Sequence, residues 1–306
     1  MRPGAPPGTN NRMVTTIALS PSPSLIPNGK FCEHPNENGQ TDDVVSGPSS
    51  IPGFDPEPAV LPWPVRVRRR FPNLFGIAWK VDRRLRYRGR RFACPVCGSE
   101  LRRWKFGYGT WDKRCPICHS FSRDRMLWLW LKRETDFFSR AQRLLHFAPE
   151  PSLHQKLRQL ANLEYLSADF VSPHVDIMCD AQALPFHDDS MDVIFCNHVL
   201  QYVRDDIRAM GELRRVLKAD GWVIVLVPYQ ADSTTDEDFG ELTHEQRFDR
   251  FGPGDPWRRY GADMTDRLDR CGLTLDVEFY ALRLGADSDR FGLRADEALL
   301  VARPAT

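Results

Sequence analysis

The sequence predicts an α/β fold: a largely parallel sheet of the nucleotide-cofactor type, with a small metal-bound module and an unstructured tail in front of it. Three features carry that expectation. Residues 191–196 are a short apolar run rich in β-formers and bounded by the turn residues 187–190, as for a strand buried on both faces of a parallel sheet. A helical repeat follows, Ile207, Met210, Leu213, Val216 and Leu217, and then a second apolar run at 222–227, which together make a right-handed strand, helix, strand crossover. Cys94-Pro-Val-Cys97 and Cys115-Pro-Ile-Cys118 repeat one knuckle across 17 intervening residues, a spacing suited to a four-thiolate tetrahedral zinc site.

Residues 1–60 are dense in Pro, Ser, Gly and Asn without sustained periodicity and are expected to be a disordered tail. The apolar patch at 13–20 is broken by Pro21, Pro23 and Pro27, so no signal peptide is expected. No run reaches the length of a membrane-spanning helix, and a reduced, cytoplasmic protein is expected. Residues 61–92 are a basic arm. Arg66, Arg68, Arg69 and Arg70, and then a dense set from Arg83 to Arg91, are interleaved with Trp63, Phe71, Phe75, Trp79 and Tyr87. Between 61 and 125 there are 18 Lys and Arg against 4 Asp and Glu, a net of +14 in a chain whose total is +1. Such an arm suits RNA or another polyanion, or a membrane surface, and equally a solvated segment whose aromatics pack on the neighbouring domain.

Residues 93–121 are the ribbon. Four thiolates leave zinc no open position, so the metal is structural and replaces a core that about 30 residues cannot supply. His119 is the alternative ligand. Residues 122–306 are the sheet domain, opening with an amphipathic helix at 122–138 whose Trp128 and Trp130 face the junction with the ribbon. A first strand at 143–147 ends in Ala148-Pro149-Glu150-Pro151, prolines that suit the start of a helix at 152–160. A second strand at 163–168 leads to Asp169 and Phe170. Asp205 and Asp206 favour the N-terminus of the crossover helix, and Gly221 stops it. An acidic, irregular insertion at 231–249 and a Gly- and Pro-punctuated stretch at 251–260 precede a helix at 264–271 and strands at 273–281 and 298–302.

The motifs Asp180-Ala-Gln-Ala-Leu-Pro-Phe, Met191-Asp-Val-Ile and Leu213-Arg-Arg-Val-Leu-Lys-Ala-Asp-Gly resemble those of class I S-adenosylmethionine-dependent methyltransferases of the type 11-like group. The resemblance covers roughly residues 141–306 and implies a Rossmann-like, seven-stranded methyltransferase sheet with S-adenosylmethionine as cofactor. Asp169 matches the acid that holds the ribose hydroxyls, for which carboxylate oxygens are natural acceptors. Asp180 matches the position that faces the adenine amino group, with the Ala181 backbone amide beside it. Phe147, Ala148, Glu150, Phe170, Asn197 and His198 complete the implied cofactor-binding set. The plainer alternative makes Asp169 and Asp180 ordinary turn and cap residues.

The first loop departs from the family, because its glycine-rich turn is replaced by residues 148–151, where proline fixes φ and removes an amide donor. The cofactor has no pyrophosphate to cradle, and Glu150 can attract its ammonium or sulfonium charge. His-Phe-Ala-Pro-Glu also resembles a subgroup that carries an N-terminal zinc ribbon. Methyl transfer needs alignment and, for O or N acceptors, sometimes a proton acceptor. His198, Tyr202, His244 and Tyr260 are the candidates, the last two from the segment that often covers the acceptor in this family. The expected acceptor is an O or N atom of a small molecule or saccharide. RNA, and a non-catalytic binding protein that kept the fold, are the alternatives.

Overall fold

The structure, a computed structural model, describes residues 81–106, 112–252 and 254–305; the expected tail at 1–60 and the arm residues 61–80 lie outside the described residues. Residues 81–87 of the arm are helical and run straight into the ribbon. There β1 (Arg88–Ala93) pairs antiparallel with β2 (Glu100–Leu101), and β3 (Lys105–Phe106) with β4 (Lys113–Arg114). The two knuckles have one geometry. Cys94 N–H donates to Ser99 O and Gly98 N–H to Cys94 O; Cys115 N–H donates to Ser120 O and His119 N–H to Cys115 O. Gly98 (φ 71°) and His119 (φ 65°) hold the same left-handed turn position, which gives His119 a backbone role.

Helix α1 (Ser122–Glu134) leaves the ribbon, with Asp124 accepting from Phe121 N–H at 3.0 Å. Next come β5 (Gln142–Phe147), α2 (Pro151–Leu157), β6 (Leu163–Asp169), β7 (Ile177–Met178), β8 (Met191–Cys196), α3 (Asp206–Val216) and β9 (Leu217–Ile224). The side chain of Asp205 caps α3 by accepting from Arg208 N–H at 2.9 Å, as the acidic pair led one to expect. A small layer follows, made of β10 (Tyr229–Gln230), β11 (Asp236–Glu237), α4 (His244–Phe251) and β12 (Arg258–Gly261). The chain closes with α5 (Met264–Asp269), β13 (Leu273–Glu278), α6 (Tyr280–Arg283), α7 (Ala286–Phe291) and β14 (Leu299–Pro304).

The main sheet has the order β13-β14-β9-β8-β5-β6-β7, with β14 antiparallel to its neighbours and the pairs from β9 to β7 parallel. The order reverses beside β5, which is the switch point of such a sheet. Strand alternation divides the core. Leu144, Val193, Phe195 and Val301 face one side, with α1 and the ribbon; Leu145, Ile194, Cys196 and Leu300 face the other, with α3 and α5.

Two expectations are corrected. The crossover helix ends at Val216, five residues before Gly221, because Leu217 already pairs with Met191 in β9. Gly221 lies inside that strand beside a register shift, where a Cβ would come within 2.8 Å of Asp192 O. The strand expected at 273–281 stops at Glu278, since Tyr280 turns into α6 and bonds Glu134 through its hydroxyl at 3.0 Å.

Candidate functional site

The carboxyl ends of β5, β6 and β8 open into a cavity of about 400 Å3. Phe147 and Ala148 line it from the turn after β5, Asp169 and Phe170 from the end of β6, Asp180 and Ala181 from the loop after β7, and His198 and Tyr202 from the turn after β8. Trp257, in the small layer, adds a wall and donates its backbone N–H to Gln201 O at 2.9 Å. Ala148 and His198 have φ of 43° and 53°, so two of the cavity's residues sit where an L-residue is strained by roughly 1–3 kcal/mol. Both residues stand in the turns that follow neighbouring strands, β5 and β8.

The carboxylates are held in different ways. Asp169 Oδ1 accepts from the backbone N–H groups of Val171 and Ser172, both at 2.8 Å, so Oδ2 keeps its lone pairs for a ligand. Asp180 accepts from Gln182 N–H at 2.9 Å and from the Gln182 amide at 3.0 Å. Burial, and then the charges of Asp180 and Asp169, push the Cys179 thiol between them up to about 11. Arg204 also lines the cavity, and its guanidinium lies 5.9 Å from the Phe239 ring.

His198 stays neutral, its imidazole pushed down to about 3 by burial and by the nearby Arg123 charge. Gln201 Nε2 lies 3.2 Å from His198 Nδ1, and this amide N–H donates, so Nδ1 accepts and Nε2 carries the hydrogen. His198 lines the cavity, with its Nε2 buried. Tyr202 is partly exposed, and a Cβ on Gly254 would come within 2.5 Å of its hydroxyl oxygen.

The other expected residues stand elsewhere. Glu150 is bonded to His146 Nε2 at 2.9 Å behind the first turn, and Asn197 is buried beside His198. Tyr260 is fully buried, with its hydroxyl donating to Asp206 at 2.9 Å, and His244 is exposed and paired with Asp255 at 2.7 Å. Neither lines the cavity. Residues that sequence reasoning passed over are Arg123, Gln201, Arg204 and Trp257. Only Trp257 had a signal, the Gly- and Pro-punctuated stretch around it.

In the ribbon, the sulfurs of Cys94, Cys97, Cys115 and Cys118 all lie within 4.8 Å of one another, with 3.6 Å between Cys94 and Cys118 and 3.8 Å between Cys97 and Cys115. Ser120 Oγ is 3.3 Å from the sulfurs of both Cys94 and Cys118, and Ile117 N–H donates to Cys115 Sγ at 3.4 Å.

Residues 131–225 match the family described as "Methyltransferase domain". An uncharacterized methyltransferase of Bacillus subtilis, YcgJ, is 36% identical over 59 residues, which is 19% of this chain and 23% of that protein. The crystal structure of YcgJ is similar with a TM-score of 0.42 and 16% identity, covering 60% of this chain and 98% of that one. A Burkholderia thailandensis 1,6-didemethyltoxoflavin-N1-methyltransferase, solved with S-adenosylhomocysteine, gives a TM-score of 0.39 and 16% identity over 55% of this chain and 72% of that one.

Proposed function

We propose that the chain, which carries a Rossmann-like methyltransferase domain, binds S-adenosylmethionine at the carboxyl ends of β5, β6 and β8 and transfers its methyl group to an O or N atom of a small molecule or saccharide. The observation that carries this reading is Asp169: a carboxylate at the end of the second strand, one oxygen fixed by two backbone amides, on the wall of a cavity at the switch point. Its other oxygen suits a ribose diol. Asp180 and the Ala181 amide suit the adenine edge, and the two carboxylates suit a cationic ligand. The bound cofactor supplies an activated methyl on a sulfonium; the chain orients its ligands and excludes water. Asp169→Ala should leave the protein folded, losing about 1 kcal/mol of stability with its two amide bonds, and weaken S-adenosylmethionine binding by roughly 1–3 kcal/mol in calorimetry. Unaltered affinity would remove Asp169 from the site.

The four ribbon cysteines are read as a structural zinc site. A tetrahedral ion with Zn–S bonds of about 2.3 Å spaces its sulfurs about 3.8 Å apart, and the separations here agree. Ser120 and the Ile117 amide would then steady the thiolates from behind. RNA is the second reading of the acceptor, favoured by Arg84, Arg88, Arg90, Arg91 and Arg102, all exposed around the ribbon. RNA binding that weakens steeply with salt would support it.

A further inference from the structure

With Asp169 and Asp180 given to the nucleoside, one wall of the cavity has no task in the cofactor reading. It is built from the turn after β8 and from the small layer: Val199, Tyr202, Val203 and Arg204 from the first, Trp257 from the second. Four of these five side chains are apolar or aromatic. The fifth is a cation.

Four arginines of the small layer and α5 are bonded within the protein. Arg247 donates to Gly240 O at 2.9 Å, Arg250 to Asp236 at 2.7 Å, Arg258 to Glu237 at 3.0 Å and Arg267 to Asp206 at 2.9 Å. Arg204 differs: among the described residues no carboxylate stands within ion-pair distance of it, and its guanidinium carbon lies over the Phe239 ring at 5.9 Å. Contact with the face of a ring leaves N–H donors to spare. An arginine on an open surface needs no protein partner, because water serves it. This one borders a cavity, and the chain around it is fixed.

Buried guanidinium groups do the fixing. Arg258 donates to Leu200 O and Arg204 O, each at 2.9 Å, so both ends of the segment 200–204 are held. Arg247 donates to Asp238 O at 3.2 Å and Gly240 O at 2.9 Å, on either side of Phe239. Trp257 gives its backbone N–H to Gln201 O and takes that of Asp238, both at 2.9 Å, and its ring meets Phe239 edge-on at 5.7 Å. Tyr202 and Phe239 are nevertheless 42% and 43% exposed. Two aromatic rings thus stay open beside a tryptophan held in place and a cation with donors to spare.

Resting on the cofactor reading, we propose that this wall binds the methyl acceptor and that the acceptor is an aromatic carboxylic acid, its ring against Trp257 and Tyr202 and its carboxylate on Arg204. Flat walls match a flat apolar body, and the N–H fork of a guanidinium matches the two oxygens of a carboxylate. A saccharide carries polar groups on nearly every carbon, and Val199, Val203 and the rings offer those groups no partners. A neutral aromatic molecule would leave the Arg204 donors unused. An RNA strand brings a phosphate with every nucleotide, whereas Arg204 is a single cation in a cavity that also holds the carboxylates of Asp169 and Asp180.

The test measures binding by calorimetry and by ligand-observed NMR, with S-adenosylhomocysteine at saturation. The probes are 3,4-dihydroxybenzoate, 3-hydroxy-2-naphthoate and indole-3-carboxylate, each beside the same ring without its carboxylate: catechol, 2-naphthol and indole. Glucuronate serves as a carboxylate without an aromatic ring. At least one aromatic acid should bind on the order of 10-fold or more tighter than its neutral counterpart, and glucuronate should not bind. Arg204→Ala should erase that preference while leaving S-adenosylhomocysteine affinity unchanged, Arg204→Lys should restore part of it, and Trp257→Ala should weaken every ring probe that binds. An acid preference that survives Arg204→Ala, equal binding of acids and neutral rings, glucuronate binding as tightly as the aromatic acids, or no binding by any of the acids overturns the proposal and leaves the cofactor reading standing. If the unaltered, folded protein binds no S-adenosylhomocysteine, the cofactor reading falls and the proposal with it.

Discussion

Arg125 ties the ribbon to the sheet domain with one side chain, beside the core that the two share. Its fully buried guanidinium donates to Ser120 O at 2.6 Å, Lys113 O at 2.8 Å, Phe291 O at 2.7 Å and Gly292 O at 2.7 Å, and its face lies 4.2 Å from the Trp104 ring. Arg125→Met would leave four carbonyls short of donors, and chemical denaturation should show a loss of roughly 3–5 kcal/mol. Next to it in α1, Asp124 makes stability depend on pH. Its carboxyl is pushed up from 3.8 to about 6, mainly by burial and then by Glu150. Below about pH 4 it is protonated in both states. Between about 4 and 6 the unfolded chain loses the proton first, so stability falls by up to about 3 kcal/mol and then levels off. Asp124→Asn should abolish this fall in a series of melting curves; an unchanged pH profile would show that Asp124 ionises normally. At this scale Asp169, Asp180 and His198 were legible, because motif position alone places them at strand ends. Arg125 was not, since neighbouring arginines at the start of a helix look alike until tertiary packing buries one of them against carbonyls.

Elements whose signal was local came through well. Strand β8 runs over the residues its apolar pattern predicts, and the acidic pair opens α3. Elements decided by distant partners did not. Strand β9 claims Leu217 to Gly221 through pairing with β8, and the insertion read as irregular is folded by Arg258, whose buried guanidinium donates to Leu200 O at 2.9 Å, Arg204 O at 2.9 Å and Glu237 at 3.0 Å. That side chain binds the small layer to the turn after β8 and so fixes the cavity wall. The ribbon is the element in which the proposed zinc site can be tested directly. Elemental analysis should find one zinc per molecule, and Cys97→Ser should lose it along with the ribbon's order. Full metal retention in a Cys94→Ser, Cys115→Ser variant would reject the assignment.

For the whole molecule, the sheet order, the split core and the switch-point cavity follow from alternating strand and helix patterns that the sequence carries openly. What binds in that cavity is written in fewer residues, and the glycine-free first turn is the one feature that argued against a cofactor. At that turn Ala148 takes the left-handed φ that a glycine would supply. Among the described residues no helix is long and apolar enough to cross a membrane. Residues 61–125 carry a net charge of +14, opposite in sign to the rest of the chain, and the RNA reading of the acceptor rests on that charge. The central claim is cofactor binding at the ends of β5, β6 and β8, and the most direct measurement is calorimetric titration of the unaltered, zinc-loaded protein with S-adenosylmethionine. One saturable site per chain, weakened by Asp169→Ala, is the predicted result. A titration without detectable binding, on protein whose melting curve shows it folded, would contradict it.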